Sequence, residues 1–329
     1  MAGVQLPNDN DWSDDDVALM ETTAAGDSTG VGRTPMVALP QQGDYLGPYV
    51  VEGTLGAGAM GVVYRAVDPG RRESVAIKLL HHVRPDDTGS SPEERWLANE
   101  AGALARLSHP NVVSVLGVGT FDDRPFLAME LVEGSTLSDW LGAKQRAWWE
   151  IVPVVRDAAK GLAAVHDAGL IHGDFKPDNV MVGHDGRVRV MDFGLARSVL
   201  APDPSIGRVA VDRHGVSRHK PIGTPAYMAP EQLAGRPAGP NSDQFACCVT
   251  LYEALFKERP FPGRTPAELA YHVMRGERRP KPVRSGVPSW LHQIVNRGLA
   301  LVGAARWPST RAFADALDDG LRQHSPSNG

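Results

Sequence analysis

The hydrophobic pattern of this chain shifts near Gly134 from mainly alternating to mainly helical, and that shift limits the folds open to it. Before it, YVVEGTLGAGAMGVVYRAVD (49–68), ESVAIKLL (73–80), VVSVLGVG and RPFLAMELV alternate in the manner of strands, with a turn at Pro69-Gly70. After it, apolar residues recur at helical spacing in WWEIVPVVRDAAKGLAAVHDAG (148–169) and SDQFACCVTLYEALF (242–256). A third helix is expected from the capping box Thr265-Pro266-Ala267-Glu268, and two more over 288–302 and 309–322. One helix interrupts the strand series. Ser91-Pro92-Glu93-Glu94 supplies an N-cap, a first-turn proline and a third-position Glu, and Trp96, Leu97, Ala101, Leu104, Ala105 and Leu107 give it an apolar stripe. No internal repeat is present. The expected class is therefore α+β in two lobes, strand-rich over about 48–132 and mainly helical over about 133–318. Such asymmetry leaves a cleft between the lobes.

Charge separates the N-terminal segment from the rest of the chain. Residues 1–47 carry Asp9, Asp11, Asp14, Asp15, Asp16, Glu21, Asp27 and Asp44 against Arg33 alone, a balance of −7 within a net −5. They lack a sustained period and are expected to form a disordered acidic tail; residues 319–329 are expected to form a short second tail. A net negative chain argues against a nucleic-acid partner. Apolar content of 42% is that of a soluble protein, and no apolar run approaches the ~18–20 residues needed to cross a bilayer. The acidic start is unlike a secretory signal. The only cysteines, Cys247 and Cys248, are neighbours ill suited to pairing and are read as small buried residues of a helix. A cytoplasmic protein is expected.

Chemistry concentrates in HGDFKPDNVMVGHDGRVRVMDFG (172–194). One loop carries Asp174, Lys176 and Asn179; Asp192 follows after two short alternating strands joined at His-Asp-Gly. Phosphoryl transfer from ATP needs such a set. One carboxylate accepts the hydroxyl proton, a lysine offsets phosphate charge, and an amide with a second carboxylate holds Mg²⁺. Leu55-Gly56-Ala57-Gly58-Ala59-Met60-Gly61-Val62-Val63 contains G-x-G-x-x-G, but a strand rather than a helix follows it. This makes it a glycine hairpin able to fold over phosphates. Lys78 lies inside an apolar strand and needs a partner, for which Glu100 on the capped helix is the expected residue. His81, His166 and His184 do not cluster at metal-ligand spacing and are read as surface residues, and Trp148-Trp149 as packing residues.

At this point the chain resembles the eukaryotic-like (Hanks-type) serine/threonine protein kinases found in bacteria, over about 49–317. The resemblance implies a bilobal protein-kinase-like fold with the ATP cleft between the lobes, and transfer of the γ-phosphate to Ser or Thr hydroxyls of protein substrates. It implies ATP and Mg²⁺ as cofactors. Leu55, Gly56, Ala57, Gly58, Ala59, Gly61 and Val63 would cover the nucleotide. Ala76 and Met181 would enclose its base, Met129 would be gatekeeper, and Glu130 and Val132 would bind adenine through their backbones. Lys78, paired with Glu100, would contact the phosphates; Asp174 would be the base, Lys176 its phosphate-supporting neighbour, and Asn179 with Asp192 the metal ligands. Thr224, in Gly223-Thr224-Pro225-Ala226-Tyr227-Met228-Ala229-Pro230-Glu231, would join the catalytic set from a substrate-docking loop. Two structural roles follow as well: Glu231 pairs with Arg306, and Asp243 braces the catalytic loop. One departure stands out, since Gly173 occupies the place of an arginine that reads a phosphate on the activation segment. His-Gly-Asp also occurs in aminoglycoside-kinase-like phosphotransferases. Those, and a pseudokinase that binds nucleotide without transferring phosphate, are the alternatives. Oligomeric state, upstream signal and individual substrates are not legible in this sequence.

Overall fold

A computed structural model describes residues 39–58, 61–81, 102–192, 225–282 and 286–324. Six antiparallel strands open it: β1 Tyr45–Leu46, β2 Tyr49–Gly58, β3 Gly61–Asp68, β4 Glu73–Leu80, β5 Val115–Phe121 and β6 Arg124–Glu130, in the order β1-β2-β3-β4-β6-β5. The turn between β3 and β4 is held by Asp68, whose carboxylate accepts the N–H of Gly70 at 2.9 Å and of Arg71 at 3.2 Å. Order begins earlier than the sequence suggests. Tyr45 and Leu46 pair with Val50 and Tyr49, Leu46 is fully buried, and Gly43 donates to Val51 O at 2.9 Å. A two-residue strand is too short to show a period, which is why it reads as tail. Residues 1–38 of the expected tail, and the capped helix up to Ala101, lie outside the described residues; only the turn α1, Gly102–Leu104, belongs to that stretch.

The second sheet, β7-β8-β9, is formed by Gly134–Thr136, Val180–Gly183 and Val188–Val190. A Cβ on Gly134 would lie 2.2 Å from Val182 O, so only glycine lets β7 approach β8 this closely. The helices are α2 Leu137–Gly142, α3 Trp148–Asp167, α4 Pro230–Leu233, α5 Pro240–Phe256, α6 Pro266–Arg275, α7 Ser289–Gly298 and α8 Thr310–His324. Neither β7 nor α2 was expected. Thr136 ends the strand and caps the helix, its Oγ1 accepting from Asp139 N at 3.1 Å. The box before α6 is half formed: Thr265 Oγ1 accepts from Glu268 N at 3.2 Å, while the Glu268 carboxylate takes the N–H of Arg264 instead.

Helix α5 is apolar on nearly every side and runs through the centre of the helical lobe. Cys247 and Cys248 are fully buried in it as unpaired thiols, as expected. Trp148 packs edge-on against Trp290, with ring centroids 5.8 Å apart, whereas Trp149 is about half exposed at 49% and only partly fills the packing role expected of it. Two apolar clusters result. One lies within the first sheet around Leu46, Tyr64, Ile77 and Phe126; the other joins Ala76, Leu80, Leu127 and Met129 to the helices. Among the described residues no helix is long and apolar enough to cross a membrane.

Candidate active site

Asp243, near the start of α5, organises the loop that precedes β8. Its Oδ2 accepts the N–H of His172 and its Oδ1 that of Gly173, both at 2.8 Å. The brace predicted for Asp243 is therefore present. His166 contributes to it, with Nε2 2.8 Å from Asp243 Oδ2 and Nδ1 3.3 Å from the Thr310 hydroxyl. The surface reading of His166 was wrong, because a histidine on the inner edge of α3 has the same sequence signature as one on the outer edge. Gly173 has φ 79°, a left-handed backbone open to glycine at least cost.

His172 is fully buried, and burial holds its imidazole below the usual histidine range despite the nearby carboxylates. Its contacts match a neutral ring: Nε2–H donates to Met191 O at 2.9 Å and Nδ1 accepts from Asp174 N at 3.3 Å. The loop is thereby tied to the residue before Asp192.

On this frame the predicted groups converge. Lys176 Nζ lies 3.0 Å from Asp174 Oδ2. Asn179, buried in a 3₁₀ turn (Pro177–Asn179), donates from its side-chain Nδ2 to Asp174 O at 2.7 Å, and its backbone carbonyl accepts from Met191 N at 3.0 Å. Across the cleft Lys78, buried at 5% exposure on β4, places Nζ 2.9 Å from Asp192 Oδ1. A buried ammonium needs such a partner. Glu100, the expected partner, lies outside the described residues, as do Ala59 and Thr224. Asp192 has φ 63°, a conformation Asp tolerates better than most residues.

The strand register brings together the residues expected to enclose the base. Ala76 on β4 is the partner of Met129 on β6, both 7% exposed, and Val63 and Val132 pack against the same cluster. Glu130 gives its N–H to Ser114 O at 2.9 Å, so a backbone contact from Glu130 to a ligand falls to its carbonyl. Met181 sits half-buried on β8.

The glycine hairpin supplies a test of fit for a phosphate ligand. Leu55, Gly56, Ala57 and Gly58 are exposed at the end of β2, and a Cβ on Gly56 or Gly58 would meet nothing within 4 Å. Packing therefore does not demand glycine at either position, whereas close approach of a phosphate does. Gly61 differs: its Cβ would fall 2.1 Å from Leu79 O. The residues expected to hold a metal, Asn179 and Asp192, would offer oxygen donors few in number, as suits Mg²⁺ shared with phosphates. Among the described residues no cluster of His, Cys, Asp and Glu offers an alternative metal site.

Three contacts near the site were not foreseen. His81 Nε2 lies 2.9 Å from Gly58 O; Tyr227 donates its hydroxyl to Glu253 at 2.6 Å; and Arg189 is buried beside Glu130. A charged residue within the alternating RVRV stretch was the one available sign of the last. Glu231 and Arg306 do pair as expected, bidentate at 2.8 and 2.9 Å, with Arg306 only 1% exposed.

A strand-rich lobe, a helical lobe and an acid–lysine–amide loop facing a Lys–Asp pair define a domain of the protein-kinase type. The protein kinase domain family model matches residues 49–315, and the chain belongs to that family. It is 34% identical over 274 residues to serine/threonine-protein kinase PknL of Mycobacterium tuberculosis, covering 82% of this chain and 63% of the relative. It is 31% identical over 301 residues to tyrosine-protein kinase MasK of Myxococcus xanthus, covering 86% of this chain and 44% of the relative. Among solved structures it matches the M. tuberculosis PknI kinase domain with a TM-score of 0.64 and 26% identity, over 86% of this chain and all of that one. The chain thus spans less than two thirds of the length of these curated relatives.

Proposed function

We propose that this domain transfers the γ-phosphoryl group of ATP to Ser or Thr hydroxyls of protein acceptors. The observation that carries the reading is the Asp174–Lys176 contact of 3.0 Å in a loop pinned by Asp243, set opposite the Lys78–Asp192 pair of 2.9 Å. In the step, a bond forms between acceptor oxygen and γ-phosphorus while the bond to the bridging β–γ oxygen breaks. ADP leaves, and the hydroxyl proton passes to Asp174. Lys176, beside Asp174, offsets charge on the transferring group. Lys78 does the same for the nucleotide phosphates, and Glu100 is assigned as its second partner. Asn179 and Asp192 would hold Mg²⁺, which supplies charge neutralisation and alignment of the phosphates. Leu55, Gly56, Ala57, Gly58, Ala59, Gly61 and Val63 would cover the nucleotide, and Ala76, Met129, Glu130, Val132 and Met181 its base. Thr224 would meet the acceptor. A cytoplasmic location is supported by the two unpaired thiols.

The test is phosphate transfer from labelled ATP to a generic acceptor, followed by phosphoamino-acid analysis. Wild-type protein labels Ser or Thr; Asp174→Asn loses at least a hundredfold in rate while keeping nucleotide affinity; Asp192→Asn loses Mg²⁺-dependent binding. Label on tyrosine alone would reassign the acceptor. Mg²⁺-dependent ATP binding without any transfer would make the domain a pseudokinase.

A further inference from the structure

The strand that delivers Asp192 also carries a buried arginine with no part in the chemistry above. Arg189, in the middle of β9, has a side chain only 6% exposed. It makes a two-pronged contact with Asp185 in the β8–β9 turn, Nη1 to Oδ1 at 3.2 Å and Nη2 to Oδ2 at 2.8 Å. Its Nε reaches the other way, 3.4 Å from Glu130 Oε1. Burying a guanidinium is costly unless its hydrogen bonds are met, so its place here needs a reason. Gly183 makes room for the contact, since a Cβ there would lie 2.4 Å from Asp185 Oδ1 and 3.0 Å from Arg189 Nη1.

Glu130 is the last residue of β6, where the strand-rich lobe passes into the connecting segment. Its Oε1 also accepts the N–H of Ser114 at 3.0 Å, while its own N–H donates to Ser114 O at 2.9 Å. The residues before Ser114 run along β9: Val113 donates to Val190 O at 3.0 Å, Val190 to Asn111 O at 2.9 Å, and the Asn111 amide to Val188 O at 2.8 Å. Two residues past Val190 stands Asp192, and Met191 N is bonded to Asn179 O at 3.0 Å. Hydrogen bonds thus link Glu130, through Ser114 and residues 111–113, to β9 and the residues assigned to the metal, and the Arg189–Glu130 ion pair ties β9 to Glu130 directly.

We infer that Arg189 is a positioning residue that fixes the spacing between the base site at Glu130 and the metal site at Asn179 and Asp192. The inference rests on the reading of the cleft given under Proposed function. A nucleoside triphosphate must satisfy both sites at once, and a misplacement of a fraction of an ångström between them weakens only a ligand that spans both. A ligand that touches the base site alone does not sense the spacing.

Calorimetric titration of the whole chain with MgATP and with adenosine separates these cases. In Arg189→Met, MgATP affinity falls at least tenfold while adenosine affinity changes less than twofold, and Arg189→Lys recovers part of the loss. Asp185→Asn sits in an exposed turn, keeps the Arg189–Glu130 pair and shows the same split more weakly; it carries the test if Arg189→Met does not fold. Equal losses for both ligands, or none for either, would overturn the inference by making Arg189 a purely structural residue. Failure of the underlying reading is visible elsewhere: wild-type protein would then bind MgATP no more tightly than adenosine.

Discussion

Arg306 shows how a residue can matter to a site it never touches. It is buried beside Glu231, donates from Nε to Ala300 O at 2.9 Å and from Nη1 to Asn241 O at 2.8 Å, and so ties α4 to the start of α5, two residues before Asp243. Burial raises the Glu231 carboxyl, but the Arg306 guanidinium, helped by the Ser242 hydroxyl, carries it below the usual carboxylate range. A depressed folded value means the stabilisation is complete above the ordinary pKa of 4.5 and disappears as pH falls through the folded value. Glu231→Ala strands a buried cation and should cost about 3–5 kcal/mol at neutral pH. In urea titrations the gap to wild type should narrow as pH drops below 4.5, because the native pair is then lost too. A gap that stays constant with pH would assign the cost to packing. Residues held by a motif, such as Asp174, Lys176 and Asp243, were legible in the sequence because their spacing within one loop or helix is itself the signal. Arg189 and His166 were not, since each takes its meaning from a partner 59 to 77 residues away that no local pattern announces.

The glycine hairpin separates two reasons for the same residue type. At Gly61 the backbone of β4 occupies the space a side chain would need, with Leu79 O 2.1 Å from a Cβ. Gly61→Ala should therefore destabilise the fold by about 1–3 kcal/mol. At Gly56 and Gly58 a Cβ meets nothing, so alanine there should leave thermal stability within about 0.5 kcal/mol of wild type. Nucleotide affinity should nevertheless fall severalfold at both. Parallel melting curves and MgATP titrations check the pattern; a stability loss at Gly58 matching that at Gly61 would contradict it. Strands β2 to β6 and helices α3, α5 and α6 were readable because each is long enough to repeat its period. Strand β7, three residues long, and α2, six, show less than two full repeats of their own periods and, unlike the equally short β9, have no alternating run or turn motif beside them; they are placed by tertiary pairing with β8 and by the Thr136 cap.

The two-lobed layout follows from the change of period at Gly134, yet the lobes are not energetically separate bodies. The alternation along β4 sends Val75, Ile77 and Leu79 to a cluster confined to the first sheet, and Ala76 and Leu80 to the cluster shared with the helices. Along β6, Phe126 and Ala128 divide from Leu127 and Met129 in the same way. The central strands are thus buried on both faces, and each face depends on the other for its backbone. Loosening one should loosen both. Ile77→Ala removes a fully buried side chain from the sheet-only cluster, on the face away from the helices, at a cost of about 2–5 kcal/mol. If the lobes were independent, the strand-rich one would melt first and leave the helical one at its wild-type temperature. Because β4 and β6 belong to both clusters, calorimetry of Ile77→Ala should instead show one transition displaced to lower temperature, with calorimetric and van't Hoff enthalpies still in agreement. Saturating MgATP, which on the proposed reading spans the same strands and the loop at Asp174, should move that single transition upward in both proteins. A second, earlier peak in the variant, unaccompanied by any shift of the main one, would show that the cleft divides the molecule into two folding units.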